Sequence, residues 1–333
     1  MESRPRVCIV SPALADANNG NWRTASRWQK FLAPVADMQI VQAWDGTPVQ
    51  ALIALHARRS ADSIERFAAA HPGVPLALVM TGTDLYRDIQ TDARAQHALQ
   101  CASHVVVLQD EALQSLPPIA HAKARVIVQS ATKLLRRGAA ARPFELAAVG
   151  HLRKEKDPAT LMAAALLLPA DSGVRIVHIG GALDPVLGAL ALQTMRACPR
   201  YRWLGALPPT TARRHIAGAH ALVHMSRIEG GANVIIEAIR SGVPVLASRI
   251  DGNVGLLGAD YDGYFAVGDA PALARLMQRA SSDAPFLAHL RAQCALREPR
   301  FTPATERAAV RELLTDMLAL RTTPAADTIA QPQ

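Results

Sequence analysis

The sequence has no long apolar run. Hydrophobic residues make up 50% of the 333 residues, but no stretch approaches the ~20 consecutive apolar residues that a membrane-spanning helix needs. The chain passes from residues 4–6 directly into a short strand-like segment, without the apolar core and the small-residue cleavage site of a signal peptide. We therefore expect a cytoplasmic protein that has no membrane partner.

Cysteine is scarce and widely spaced. The four cysteines are Cys8, Cys101, Cys198 and Cys294. None forms a Cys-x-x-Cys pair, so the sequence offers neither a thiolate metal site nor a redox motif. We expect buried free thiols in a reducing compartment. The segment Asp260-Tyr261-Asp262 is flanked by glycines and is expected in a surface turn, so neither a metal nor another cofactor is predicted.

Aromatic residues are few, and the positive charge is scattered. The chain has four Trp, four Tyr and six Phe, with a net charge of +8. Proteins that bind single-stranded nucleic acids use aromatic side chains as stacking platforms within a basic groove, so no nucleic-acid partner is expected. A basic cleft that concentrates small anions is the functional interpretation. An Arg- and Ala-rich composition is the simpler alternative.

The most informative stretch is a βαβ unit in the second half of the chain. An apolar run over 219–225 predicts a buried strand, residues 232–240 have helical spacing, and 243–247 predict a second strand. Gly242 stands at the usual left-handed position after a helix. Strand, helix and strand in this order indicate a parallel sheet and an α/β fold, and the chain length suits two such domains.

The turn of this unit combines an anion site with carboxylates. Gly230 and Gly231 have no Cβ, and the first amides of the following helix have no partner within the helix, so the turn suits an anion. Glu229 precedes these amides, and Glu237 follows on the helix. A sugar nucleotide has phosphates for the amides and hydroxyls for the carboxylates. The alternative is a helix-start glutamate followed by a solvated one.

Glu229 and Glu237 have the Glu-x7-Glu spacing, and together with the segment 242–245 they resemble the retaining GT-B glycosyltransferases. The whole chain is also similar to a narrower group, the selenosugar synthases of selenoneine biosynthesis, which join selenium to a sugar. The segments that carry this second resemblance are 11–13 with 18–22, 55–60, 81–88, 150–153 with 155–158, and 229–234. The resemblance implies the GT-B fold, with two Rossmann-like domains whose parallel sheets face each other across a cleft.

The predicted domains follow from this resemblance and from the composition. We assign residues 1–135 to an N-terminal, acceptor-side domain and residues 144–300 to a nucleotide-sugar-binding domain. The polar and basic stretch 133–143 is expected to link them. The amphipathic segment 302–320 predicts a helix, which the resemblance implies packs back on the first domain. Residues 321–333 are expected to be disordered.

The resemblance implies that the second domain binds a UDP-sugar. Lys156 matches the family's diphosphate-neutralising lysine, while His151 stands at the position of an arginine and Arg153 would compensate for it. Glu229 would hold the transferred sugar, and Glu237 the ribose hydroxyls. The catalytic prediction is Lys156, Glu229 and Arg153, since the two cations would stabilise the departing UDP. The other donor-side predictions, for the uracil and the glycine turn, are Ala206, Leu207, Gly230, Gly231, Ala232, Asn233 and Val234.

The acceptor is expected at loops that follow strands, because such loops form the ligand crevice of a parallel sheet. The acceptor-side predictions are Gly20, Asn21, His56, Arg58, Arg59, Thr83, Asp84, Arg87 and, from a glycine-rich loop over 249–258, Asn253. Arg58 or Arg59 would bind an oxyanion. Two alternatives stay open: a simple turn with Asn21 as a helix cap, and a turn capped by Asp84.

The resemblance implies UDP-N-acetylglucosamine as the donor and selenophosphate as the acceptor, with release of UDP and phosphate. Many related enzymes have a histidine in the loop where this sequence has Thr81-Gly82-Thr83. Its absence fits an acceptor whose selenium is already anionic and needs no general base. The alternatives are a conventional O-glycosyltransferase on a sugar or lipid, a sugar-nucleotide-binding protein without turnover, and an epimerase of the same fold.

Overall fold

The chain divides into two compact units. The computed structural model describes residues 4–14, 20–135 and 143–320. One unit comprises the described residues of Met1–Val107, Leu116–Ile127 and Arg307–Gln333, and the other those of Leu108–Ser115 and Val128–Glu306. We call them the N-terminal unit and the second unit.

The N-terminal unit is built on a six-stranded parallel sheet. Its strands are β1 (Arg6–Val10), β2 (Asp37–Val41), β3 (Ala51–Leu55), β4 (Leu76–Val79), β5 (His104–Val107) and β6 (Ala124–Val126). Their order is β2-β1-β3-β4-β5-β6. Every residue of β3 is buried, as expected for a central strand of a parallel sheet that is covered on both faces.

Short helices connect these strands. They are α1 (Gly20–Leu32), α2 (Ala61–Ala70), α3 (Ile89–Thr91), α4 (Ala93–Cys101) and α5 (Pro118–His121). A π-helical turn, Asp84–Asp88, precedes α3. The chain order reverses between β1 and β3, which makes the carboxyl ends of these two strands the expected ligand edge of this sheet.

The second unit has its own six-stranded parallel sheet. The strands are β7 (Phe144–Val149), β8 (Val174–Ile179), β9 (Tyr201–Trp203), β10 (Ala221–His224), β11 (Val245–Ser248) and β12 (Tyr264–Phe265). Their order is β12-β11-β10-β7-β8-β9. The order reverses between β7 and β10, which pair through Ala221 with Leu146 and Leu222 with Ala147. The ligand edge expected for this sheet is therefore the carboxyl end of β7 and β10.

Helices of the second unit alternate with its strands. They are α6 (Pro158–Leu167), α7 (Pro185–Ala197), α8 (Pro209–Gly218), α9 (Asn233–Ile239), α10 (Asp251–Leu257), α11 (Ala270–Ser282) and α12 (Ala284–Arg297). The main core of the unit is a large cluster of buried apolar side chains from its central strands and these helices. Two parallel sheets with alternating helices confirm the predicted α/β class.

One predicted loop is wrong. Residues 249–258 were expected to form a glycine-rich loop, but Asp251–Leu257 form α10. Its glycines mark close packing: a Cβ on Gly252 would lie 2.1 Å from the Glu229 carbonyl oxygen, and one on Gly255 would lie 1.8 Å from the Gln109 Oε1. Glycine is unfavourable within a helix, so this contact between distant segments outweighs the local preference.

The last described helix, α13 (Pro303–Ala319), covers the predicted segment 302–320. In the N-terminal unit, Arg311 Nε donates to the Phe31 carbonyl oxygen at 3.1 Å, and Arg125 pairs with Asp316 at 2.7 Å. The predicted boundary at residue 135 differs from the division of the chain, because 108–115 and 128–135 lie in the second unit. Residues 136–142 of the predicted linker and the predicted disordered tail 321–333 lie outside the described residues.

None of the helices within the described ranges has the length and apolar character needed to cross a membrane.

Candidate functional site

Lys156 and Glu229 form an ion pair at the ligand edge of the second sheet. Lys156 ends a short 3-10 turn after β7, and Glu229 lies in the turn after β10. The Lys156 Nζ donates to the Glu229 Oε1. Their side chains are 19% and 11% exposed, so the pair is shielded yet open to a ligand. The structure thus brings together the two main catalytic predictions.

A third titratable group, His224, lies beside this pair. His224 ends β10, is buried, and its Nε2 lies 3.4 Å from the Glu229 Oε1. Burial lowers the pKa of His224, so the imidazole is neutral at neutral pH. Burial alone would raise the pKa of Glu229, but the positive charge of Lys156 opposes burial, and the pKa is held below its usual range. Glu229 is therefore a carboxylate at neutral pH.

Asp157 fixes the backbone next to Lys156. Its φ of +46° lies in the left-handed region, which is uncommon for a residue other than glycine. Asp157 stands at the N-cap position of α6, but its side chain makes no hydrogen bond to the first amides of the helix. Its carboxylate instead accepts a hydrogen bond from the Thr160 Oγ1 at 2.8 Å and pairs with Arg227 at 3.0 Å. Because Arg227 lies in the turn that carries Glu229, this ion pair joins the two loops of the site.

Arg153 enters the site through its backbone, since its carbonyl oxygen accepts the Lys156 amide at 3.0 Å. The glycine turn leads into α9, and Ala232 and Val234 pack with the core. The structure explains Gly231 by close packing within the protein, whereas the sequence predicted the close approach of a ligand. A Cβ there would lie 2.7 Å from the Gln129 Oε1 and 2.9 Å from the Leu108 Cβ, so protein atoms occupy that space.

His151, predicted at the diphosphate position, and Ala206, predicted near the base, lie together beside the Lys156 loop. The Gly181 amide donates to the His151 Nδ1 at 3.0 Å. A Cβ on Gly181 would lie 3.5 Å from both the His151 Nδ1 and the Ala206 Cβ, so the three residues share one location. The His151 Nδ1 thus acts as an acceptor, which fits a neutral ring rather than the cation expected at this position. Leu207 packs against a small apolar cluster that includes Ile179.

Glu237, the predicted ribose ligand, is 7% exposed on α9. Its Oε1 lies 3.8 Å from the Arg213 Nε, and Arg213 also donates to the Thr132 carbonyl oxygen at 2.6 Å. The carboxylate therefore faces a cation of α8 and is not a solvated helix glutamate. Asn233, between the two glutamates, begins α9.

On the N-terminal unit, His56 stands at the ligand edge after β3. It is 3% exposed, and its φ of +71° is again left-handed. Strain of this kind is concentrated at functional sites. Its Nε2 lies 3.1 Å from the Thr83 Oγ1, which brings two acceptor-side predictions together. Burial lowers the pKa of His56, aided by Arg59 and opposed by Asp84 and Asp88.

The surroundings of Asp84 do not fit its predicted role as an acceptor-side ligand. It is 0% exposed, and its Oδ1 accepts the amides of Thr81 and Gly82 at 2.9 Å each, while its Oδ2 accepts the Ala57 amide at 3.0 Å. With both oxygens used by the backbone, Asp84 organises the loops after β3 and β4. The alternative of an Asp84-capped turn is the one that the structure supports.

The three acceptor-side arginines have different surroundings. Arg58 pairs with Asp92 at 3.0 Å, and Arg87 pairs with the buried Asp88 at 3.1 Å. Arg59 is exposed and has no carboxylate partner within residues 4–14, 20–135 and 143–320. Of the three, Arg59 is therefore the cation most available to an oxyanion.

The surroundings of Asn253 do not fit its predicted acceptor-side role either. It lies in α10, is 0% exposed, and its Nδ2 donates to the Ser248 carbonyl oxygen at 2.8 Å. The side chain joins α10 to β11, so it does not fit a sugar contact. Gly20 and Asn21 lie in the first turn of α1, so Asn21 is not the cap of this helix. Asn18 and Asn19 lie outside the described residues.

The described part of the chain contains no group of three or more His, Cys, Asp or Glu residues that could hold a metal ion. Asp262 of the Asp-x-Asp segment pairs with His289 at 2.7 Å, and both side chains are more than half exposed. Its surroundings fit the expected surface turn.

Sequence reasoning missed His224 and Arg227. His224 is the last residue of an apolar strand, where a histidine is usually structural, and Arg227 is one of many scattered arginines. The available signal was position, since both lie within five residues of Glu229, His224 at the end of a predicted strand and Arg227 in the turn that follows it. The contact of His224 with Glu229 and that of Arg227 with Asp157 depend on the fold and are not visible in the spacing.

Comparisons with known proteins agree with this architecture. The profile of the family described as "Glycosyl transferases group 1" matches residues 135–296. No curated protein sequence matches the chain.

Solved structures match over most of the chain. HepE from Anabaena, in complex with UDP and glucose, is 14% identical, with a TM-score of 0.76 over 94% of this chain and 100% of its own. Sucrose-phosphate synthase from Thermosynechococcus elongatus is 16% identical, with a TM-score of 0.77 over 95% and 100%. The pneumococcal O-GlcNAc transferase GtfA, in complex with UDP and GlcNAc, is 16% identical, with a TM-score of 0.64 over 80% and 57%. The chain therefore has the GT-B fold, and the described residues that match the group 1 profile lie in its second unit.

Proposed function

We propose that the chain is a glycosyltransferase that uses a UDP-sugar. The observation that carries this proposal is the shielded Lys156–Glu229 pair at the carboxyl ends of β7 and β10. In support, ligands of open α/β sheets bind where the strand order reverses, as it does between β7 and β10. A cation and a carboxylate in one crevice suit the two halves of a sugar nucleotide, which are an anionic diphosphate and a hydroxyl-rich sugar.

Each residue of the pair has a role that follows from its charge. Lys156 has three N–H donors and a positive charge, so it would stabilise the negative charge that develops on UDP as the bond to the sugar breaks. Glu229 is ionised at neutral pH and would accept hydrogen bonds from sugar hydroxyls. Substrate binding would replace at least part of the contact between the two residues. The positive charge comes from the protein, so the proposal includes no metal ion.

The rest of the nucleotide would follow the same edge of the sheet. The cluster of His151, Gly181 and Ala206 lies after β7, β8 and β9, and would receive the uracil. Glu237 would accept hydrogen bonds from the ribose hydroxyls, next to Arg213. In support, the HepE and GtfA structures named above are both complexes with UDP.

We propose N-acetylglucosamine as the transferred sugar and selenophosphate as the acceptor. The support is the resemblance to selenosugar synthases in the segments that contain His56, Thr83 and Glu229. A small anionic acceptor also fits Arg59, the exposed guanidinium beside His56. The selenium lone pair would attack the anomeric carbon, and the bond from that carbon to the UDP oxygen would break. Water would then cleave the P–Se bond, which releases phosphate and leaves the selenosugar.

The experiment supplies UDP-N-acetylglucosamine to the purified protein with selenophosphate, with phosphate, or with neither, in the presence of EDTA. UDP release is followed with time, and products are analysed by mass spectrometry for the isotope pattern of selenium. We expect UDP release that depends on selenophosphate, persists in EDTA and accompanies a selenium-containing sugar.

Two outcomes would contradict parts of the proposal. UDP release without incorporation of selenium, but with a sugar or lipid acceptor, would keep the glycosyltransferase and replace the acceptor. Binding of UDP-sugar with no turnover on any acceptor would indicate a sugar-nucleotide-binding protein, and the catalytic roles of Lys156 and Glu229 would be withdrawn.

A further inference from the structure

His224 occupies a position that core packing alone does not explain. Its side chain is 3% exposed, and the Nε2 is buried without a hydrogen-bond partner among the described residues. A buried polar atom without a partner is costly. The atom lies 3.4 Å from the Glu229 Oε1, which is close enough for a small movement of Glu229 to form a hydrogen bond.

Two other buried histidines of the second unit have different neighbours. The His220 Nδ1 accepts the Glu145 amide at 2.9 Å, and the His178 Nδ1 lies 2.8 Å from the Tyr201 hydroxyl. Both contacts involve groups with no proposed part in the reaction. The His178 Nε2 is also buried without a hydrogen-bond partner among the described residues, so what distinguishes His224 is the carboxylate beside its Nε2. The contact of His224 is with the carboxylate that the proposed function assigns to the sugar.

Binding of the donor substrate would leave Glu229 without the hydrogen bond that Lys156 donates. In the structure, the Oε1 of Glu229 accepts its hydrogen bond from Lys156. When the diphosphate binds, the ammonium of Lys156 is drawn toward a ligand with a larger negative charge. Glu229 then loses its main hydrogen-bond donor at the moment when it must hold the sugar in a fixed orientation. A buried carboxylate without a donor is strongly destabilised.

We propose that His224 is a positioning residue that replaces Lys156 as the hydrogen-bond donor to Glu229 when the donor substrate binds. This inference rests on the proposed function. The neutral imidazole carries its proton on Nε2 in this role and donates it to the Glu229 Oε1. No proton is transferred. The donation leaves the other lone pairs of the carboxylate for sugar hydroxyls, so His224 acts on the substrate only through Glu229.

The test compares His224→Leu, which removes the donor at similar volume, with His224→Gln, whose amide can donate from a similar place. His220→Gln is the matched control, because His220 lies next to the other end of β10. The assays measure kcat and KM for UDP-N-acetylglucosamine with selenophosphate, and the affinity for UDP, which has no sugar. Thermal unfolding checks that each variant folds.

We expect His224→Leu to lower kcat about 10- to 100-fold, the effect of losing a hydrogen bond to a charged group. The affinity for UDP is expected to stay within about twofold of wild type, and His224→Gln to recover most of the activity. A purely structural histidine would instead affect UDP affinity and turnover together, and glutamine would not restore turnover.

A double-mutant cycle with Glu229→Ala completes the test. If His224 acts through Glu229, then adding His224→Leu to Glu229→Ala causes no further loss in single-turnover experiments. Independent losses that multiply would overturn the inference while leaving the proposed function intact. A wild-type protein that releases no UDP from the UDP-sugar would instead overturn the proposed function, and the role of His224 with it.

Discussion

At the scale of single residues, the side chain of Asp157 holds the loops of the site in place. Asp157 keeps a left-handed backbone that follows Lys156, and its carboxylate connects Thr160 on α6 with Arg227 in the turn of Glu229. A left-handed conformation costs an L-residue about 1–2 kcal/mol, so the contacts of the carboxylate must offset this strain. The arrangement explains why a buried aspartate stands where glycine would fit the backbone more easily.

This strain predicts an unusual order of stability at position 157. Asp157→Ala loses the carboxylate contacts and keeps the strain, whereas Asp157→Gly loses the same contacts but removes the strain. We expect the glycine variant to be more stable by about 1 kcal/mol in urea unfolding. At Asp62, in the first turn of α2, the same two changes are expected in the opposite order, because alanine is the better helix former. An alanine variant as stable as the glycine variant at position 157 would contradict the account.

At the scale of elements, α10 is a helix that depends on its contacts. Gly252 allows the helix to lie directly against the backbone of Glu229, and Asn253 joins the same helix to β11. The helix therefore supports the Glu229 turn from behind. This support is rigid, because the neighbouring atom is a backbone carbonyl oxygen rather than a flexible side chain.

We expect Gly252→Ala to be destabilising despite the higher helix propensity of alanine. The new Cβ would lie 2.1 Å from the Glu229 carbonyl oxygen, and overpacking of this kind costs about 1–3 kcal/mol. Displacement of Glu229 should also lower turnover. The control is Gly218→Ala at the end of α8, where a Cβ would meet nothing within 4 Å and the change should be neutral or stabilising. Equal thermal midpoints for the two variants would argue against the supporting role of α10.

At the scale of the whole molecule, buried histidines make stability depend on pH. Burial lowers the pKa of His178 from 6.5 to about 4, and it also lowers the pKa of His56, His104 and His224. Below pH 6.5 the unfolded chain binds protons that the folded chain excludes, so the free energy of unfolding falls as the pH drops. His178 alone contributes at most about 3 kcal/mol between its two pKa values.

The pH dependence can be tested with His178→Asn, whose amide can take the place of Nδ1 beside the Tyr201 hydroxyl. Wild type should lose stability between about pH 7 and about pH 4.5, and the variant should lose less over the same interval. Urea unfolding at the two pH values measures both slopes. The comparison uses the slope because the substitution also changes packing. A variant with the slope of the wild type would show that His178 does not contribute.

Much of this fold could be predicted from local sequence, and much of the site could not. The strands are short apolar runs, and Gly242 has the left-handed φ of +69° that its place after a helix predicted. In contrast, the glycines of α10 favour a loop locally and are explained only by Glu229 and Gln109. Asp84 and Asn253 are polar residues in segments that follow strands, where a ligand contact and a structural hydrogen bond look alike in sequence. Asp84 accepts amides from its own loop and from Ala57, and Asn253 donates to the Ser248 carbonyl oxygen. Spacing alone does not show that these side chains turn back onto the backbone.

The proposed activity depends most on the Lys156–Glu229 pair, and UDP release measures that activity most directly. The measurement compares wild type, Glu229→Gln and Glu145→Gln with UDP-N-acetylglucosamine and selenophosphate. Glu145 is the matched control, since it pairs with Arg175 on the neighbouring strand β8. We predict steady UDP release by wild type and the control, and a loss of at least about 100-fold in Glu229→Gln. Wild-type rates in Glu229→Gln would contradict the central claim.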